Sequence, residues 1–125
     1  MNQILLVAVG GAVGSVARHL VSVASTRIAG SAFPWGTMTV NIVGSFLMGI
    51  FIEVLARRLG GSAELRLLVA TGFLGGFTTF SSLTLDAAVI FERGEVITAL
   101  AYVAASVIIG LAALFAGLAL ARIVA

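Results

Sequence analysis

Thr71-Gly72-Phe73-Leu74-Gly75-Gly76-Phe77-Thr78-Thr79-Phe80-Ser81-Ser82 lies inside an apolar run, about residues 65–91, that is long enough to cross a bilayer. Three glycines fall within five residues of it, and five hydroxyl side chains flank or follow them. Glycine costs a helix about 1 kcal/mol relative to alanine, and Thr and Ser compete for nearby backbone groups. The stretch therefore predicts a helix interrupted near its middle. In hydrocarbon an open backbone is tolerated only where it is buried in protein or lines a watery cavity, so an interruption there points to a site. The alternative reading is a glycine-rich helix pressed closely against a neighbour.

The rest of the chain fits a membrane setting. Of its 125 residues 61% are hydrophobic and 10% charged, with a mean hydropathy of +1.23. Three further apolar runs, about 4–24, 37–56 and 96–123, each reach spanning length. The expected fold class is thus an all-α integral membrane protein: four transmembrane helices in one domain over residues 1–125, the third broken near the midplane. No basic region precedes the first run, which reads as a retained helix. The seven basic residues are all Arg and are scattered, so the pI near 10.5 reflects scarce acids, not a nucleic-acid face. With no cysteine and one His, thiolate and histidine-cluster metal sites are excluded.

Polar and small residues recur along single helical faces. Gly10, Gly14 and Arg18 step by four along the first run, and the two glycines form a GxxxG close-packing pattern. Arg18 is a candidate for anion attraction or for interfacial anchoring. Thr37, Asn41, Ser45 and Gly49 repeat the step in the second run, and Thr98, Tyr102, Ser106 and Gly110 in the fourth. An Asn deep in a span is costly unless it bonds across helices or meets water, which marks Asn41. Glu53 and Arg57 read as an interfacial ion pair, and Trp35 as a headgroup-level ring.

If the third run divides at its glycines, residues 65–74 rise about 15 Å, half the hydrocarbon thickness. One half-helix would then present carbonyls at mid-membrane and the next its N–H groups. Transport proteins build ion sites from such ends without ionised side chains. Thr78, Thr79, Ser81, Ser82 and Thr84 add hydroxyls beyond the glycines, and Asp86 lies two turns on, toward the interface.

The residues carrying these features resemble the Fluc (CrcB) fluoride channels along essentially the whole chain. The resemblance runs through Gly10-Gly11-Ala12-Val13-Gly14 with Arg18, then Pro34-Trp35-Gly36-Thr37, Val40-Asn41 and Gly44-Ser45-Phe46, and most specifically through Thr71 to Ser81. It implies a multi-pass protein of a prokaryotic inner (cell) membrane, an antiparallel, dual-topology homodimer with two fluoride-conducting pores. It also implies one structural sodium ion held by the backbone carbonyls of Gly75 and Thr78 from both subunits. Asn41, Phe80, Tyr102 and Ser106 would face the pores, with Ser81, Ser82 and Thr84 forming a polar track. The chain departs from its relatives in three places: Leu83 stands where many carry a second Phe, Asp86 where Glu is usual, and Gly110 where Ser occurs.

With the N-terminus inside, arginines divide four to three between the two sides, a margin too small to impose one orientation. The implied activity is passive fluoride export from the cytoplasm. The alternative is a small dual-topology multidrug/proton antiporter. That chemistry needs a membrane-embedded carboxylate, and here Glu53 and Asp86 sit near run ends while the first run has no acid. A non-transporting scaffold explains the small residues but not the polar interruption. No nucleophile–base pair points to an enzyme.

Overall fold

The computed structural model describes residues 2–125 and, among them, contains helices and no strand. Four helical elements are long and apolar enough to cross a membrane: α1 (Gln3–Ala29), α2 (Trp35–Arg58), α3 (Ala63–Glu92) and α4 (Val96–Val124). Their ends follow local chemistry. Asn2 caps α1 by accepting the Ile4 N–H at 2.7 Å, and Gly30, at φ +79°, turns the chain out of it. Pro34 immediately precedes α2, and the Ser62 hydroxyl caps α3 through the Leu65 N–H at 3.2 Å.

Large apolar side chains such as Ile4, Leu20, Ile97, Ile108 and Ile123 point outward, as expected when the surroundings are lipid. Burial of apolar surface from water therefore does not hold these helices together. Close backbone approach does. α1 lies against the first part of α3, and α2 against α4. A Cβ on Gly14 would strike the Phe73 carbonyl, and one on Gly76 would meet the Gly11 carbonyl at 2.6 Å. Gly49 and Gly117 serve the α2–α4 pair in the same way, against the backbones of Leu114 and Phe46.

The third element corrects one expectation. It does not divide at its glycines into two half-helices; it continues from Ala63 to Glu92 with a slight bend. Arg66–Leu74 is wound as a π-helix, and Gly75–Phe77 returns to α geometry. Regular helix lapses only at Thr78 (φ −87°, ψ 157°) and Thr79 (φ −154°, ψ 121°), before Phe80–Glu92 resumes. The glycines are there to let α1 approach, and that packing overrides their poor helix propensity. Gly75 itself has helical φ −63°, and a Cβ there would meet only the Ala70 carbonyl, at an ordinary 3.5 Å. Close approach belongs to Gly72 and Gly76, not to Gly75.

At one end of the bundle Glu53 pairs with Arg57 at 3.5 Å, as the spacing predicts, and with Arg122 of α4 at 2.6 Å. One carboxylate thus joins the ends of α2 and α4.

Candidate ion pathway

The lapse in α3 is held open by a residue far away in sequence. Asn41 of α2 accepts the Thr79 N–H on Oδ1 at 2.7 Å and donates from Nδ2 to the Thr79 carbonyl at 3.0 Å. This side-chain amide takes the place of the helical acceptor of the Thr79 N–H and adds a second donor to the Thr79 carbonyl, which as N-cap also accepts the first bond of the following helix. Thr79 in turn caps the next arm, its Oγ1 accepting the Ser82 N–H at 3.1 Å. Both donations have a second consequence. Thr79 N–H is the helical partner of the Gly75 carbonyl, and Ser82 N–H that of the Thr78 carbonyl. Diverting the two leaves both carbonyls without their regular donors. The intervening Gly76 carbonyl accepts from Arg18 Nε at 3.0 Å. The sequence placed Arg18 on the GxxxG stripe; the structure turns it onto the backbone beside the lapse.

A cavity of about 380 Å³ opens next to this knot, walled by α2, α3 and α4. Asn41, Ser45, Phe80 and Ser106 line it with Leu83 and Gly110. Most of its wall is apolar, and the few polar groups are mostly engaged: Ser45 Oγ donates to the Asn41 carbonyl at 2.7 Å. Ser106 is the exception. Its hydroxyl is buried and has no hydrogen-bond partner among the described residues. Leaving such a group unsatisfied costs about 1–3 kcal/mol, so its position on a cavity wall invites an acceptor.

Two smaller cavities lie on the other side of Thr79. One, of about 140 Å³, brings Arg18 and His19 together with Ser22, Thr37, Thr79 and Ser82. The other, of about 270 Å³, is lined by Thr37, Asp86 and Arg93 with Ser22 and Ser25 of α1 and Ser31 of the first connection. Tyr102 is buried beside it, and its hydroxyl donates to Asp86 Oδ2 at 3.1 Å.

The expected residues therefore divide. Asn41, Thr78, Phe80 and Ser106 share the large cavity, Arg18 and Ser82 a second, and Asp86 a third, with Tyr102 bonded to it. Ser81 and Thr84 line none of these cavities. They lie exposed on the outer face of α3, Thr84 Oγ1 donating to the Ser81 carbonyl at 2.9 Å. Gly75 is likewise exposed. Thr79, which the sequence offers only as one hydroxyl among several, is the hub of the arrangement. Its signal is a Thr three residues before Ser82 at the head of an apolar run, the pattern of an N-cap.

Residues 5–118 match the family profile described as CrcB-like protein, Camphor Resistance (CrcB). The chain is 59% identical over 122 residues, 98% of both chains, to a protein of Agrobacterium fabrum named fluoride-specific ion channel FluC. Proteins of the same name from Rhizobium etli and Rhizobium johnstonii are 57% and 56% identical, the latter over the full length of both chains.

Proposed function

This chain belongs to the CrcB family, and from that premise we propose that it is a fluoride-selective channel that lets the anion leave the cytoplasm passively. The family is one of ion channels, not enzymes. Fluoride enters a cell as the neutral acid and ionises inside, so an open exit is enough to lower its level. The observation that carries the reading in this molecule is the orphan Ser106 hydroxyl on the wall of the large cavity. A small hard anion gives up its water only to strong donors, and a buried hydroxyl with no partner is already desolvated. The N–H end of Phe80–Glu92 opens at the same cavity and adds partial positive charge. Phe80 contributes a ring whose edge is positive. Asn41 keeps one amide hydrogen beyond the one given to Thr79. The Tyr102–Asp86 pair and Ser82 lie at the two smaller cavities.

The test is fluoride-electrode efflux from liposomes holding the purified protein. Rapid, electrogenic fluoride loss with chloride retained is expected. Proton-coupled export of cationic dyes in its place would establish the antiporter reading.

The assembly belongs to the same proposal: an antiparallel pair, inserted in both orientations in an inner (cell) membrane. One sodium ion would be held between the carbonyls of Gly75 and Thr78 and those of the second copy. The donor set fits. Both carbonyls have lost their helical N–H partners, and neutral oxygens suit a hard monovalent cation. The ion would tie the two α3 bends together and leave their oxygens satisfied.

Gly75→Val tests this part, because the protomer itself offers the new side chain ordinary space. The variant should still form helical protomers, yet lose the dimer on size-exclusion chromatography. It should also lose the rise in melting temperature that sodium, but not N-methylglucamine, gives the parent. A dimeric Gly75→Val protein with full efflux would remove Gly75 from the interface.

A further inference from the structure

The residues so far assigned to conduction all lie on the four spans. The connection between α1 and α2 contributes something as well. It carries Phe33, a large apolar side chain in a segment whose backbone has little regular bonding. Such a ring would ordinarily drift toward lipid. Here it is half-buried and packs against the cluster of Leu83, Ile90, Ala99 and Tyr102. Its centroid lies 5.3 Å from that of Tyr102, with the planes at 84° in an edge-to-face contact. On the other side Trp35 closes at 4.5 Å and 50°.

The connection is held in place from across the bundle end. Arg93, in the turn between α3 and α4, donates from Nη2 to the carbonyl of Ala32 at 3.0 Å. Ala32 directly precedes Phe33. Glu95 Oε2 lies 3.0 Å from Arg93 Nε and fixes the guanidinium. Phe33, Asp86 and Arg93 all line the 270 Å³ cavity. Tyr102, 1% exposed, is gripped between Phe33 and the α3 side chains and has its hydroxyl on Asp86.

We propose that Phe33, pinned through Ala32 by Arg93, is a positioning residue of the ion pathway that holds the Tyr102 hydroxyl on Asp86. The proposal rests on the fluoride-channel reading. Tyr102 rotates about two side-chain bonds, and its ring can tilt wherever a neighbour is missing. Phe33 supplies one wall of that ring's site through its edge-to-face contact. Asp86 has a shorter side chain than the Glu that the resemblance implies, so it reaches less far toward Tyr102. The hydroxyl must then be brought to it.

The test is a double-mutant cycle on fluoride efflux in liposomes, with dimer content checked by size exclusion. Phe33→Leu and Arg93→Gln should each lower flux about two- to tenfold, the range spanned by one aromatic contact. Phe33→Trp, which keeps a ring, should retain most of it. In a Tyr102→Phe background, Phe33→Leu should add no further loss, because the hydroxyl it positions is gone. A role in packing alone would give additive losses in that background and overturn the proposal, as would parental flux in both Phe33→Leu and Arg93→Gln. Should Phe33→Leu fail to assemble, Arg93→Gln carries the same cycle, since its exposed guanidinium leaves the core intact. Failure of both to assemble would make the connection structural and refute the positioning role. A parent protein that passes no fluoride would sink the channel reading itself, an outcome distinct from all of these.

Discussion

Asn41→Leu should abolish fluoride flux and lower thermal stability together. The leucine fits the volume but leaves the Thr79 N–H, bonded to Asn41 in the parent, with no partner inside the membrane, and takes from the Thr79 carbonyl the second of its donors. That orphan costs about 1–3 kcal/mol, so the melting temperature in detergent should fall clearly. Efflux should drop by more than about tenfold, since the cavity loses its amide donor and the α3 bend its brace. Asn41→Asp separates the two effects. A carboxylate still accepts the Thr79 N–H, so stability should recover in part. It cannot donate to the Thr79 carbonyl, and it places a negative charge on the wall an anion must pass, so flux should stay low. An Asn41→Leu protein that conducts like the parent would reduce this residue to a strut between α2 and α3.

The double role of Asn41 also shows what the sequence could and could not reveal. The four spans were legible because apolar length is all a bilayer demands; most helix ends overrun the expected bounds by one to five residues, as at Trp35 and Arg58, while the fourth starts at Val96 as expected. The stripes of Gly and small residues were legible too, and Gly10, Gly14 and Gly49 all lie where backbones nearly touch. The position of the lapse was not. It is decided by a contact between residues 38 apart in sequence, which captures the Thr79 N–H and so moves the interruption beyond the glycines to Thr78 and Thr79. Local propensity put the interruption at the glycines, where Gly75 in fact keeps helical φ −63°. The isolation of Ser106 was equally invisible, because a stripe residue's partners depend on which helix faces it. Phe33 carried no periodic signal, being in a connection, and only the packed structure shows it reaching Tyr102.

Phe80→Ile and Leu83→Ile, compared in one efflux assay, should give very different results. The two side chains are one helical turn apart and both line the large cavity. Their surroundings differ. Leu83 is 6% exposed and belongs to the cluster around Tyr102, whereas Phe80 is 75% exposed on the protomer, at the first turn after the lapse. A ring so placed is free to present its positive edge to an anion, and this chain has no second phenylalanine at position 83 to share the task. Phe80→Ile keeps an apolar group but removes that edge, so fluoride flux should fall about tenfold, the upper end of what an aromatic contact supplies. Leu83→Ile conserves volume in a packed site, at a stability cost under about 1.5 kcal/mol, and it has no ring to lose; flux should change far less. Both variants must match the parent's assembly on size exclusion for the comparison to count. If position 83 proves the more sensitive, the packing around Tyr102 governs passage. The ring edge of Phe80 would then be incidental, because an electrostatic station cannot matter less than the shape of an apolar wall one turn away.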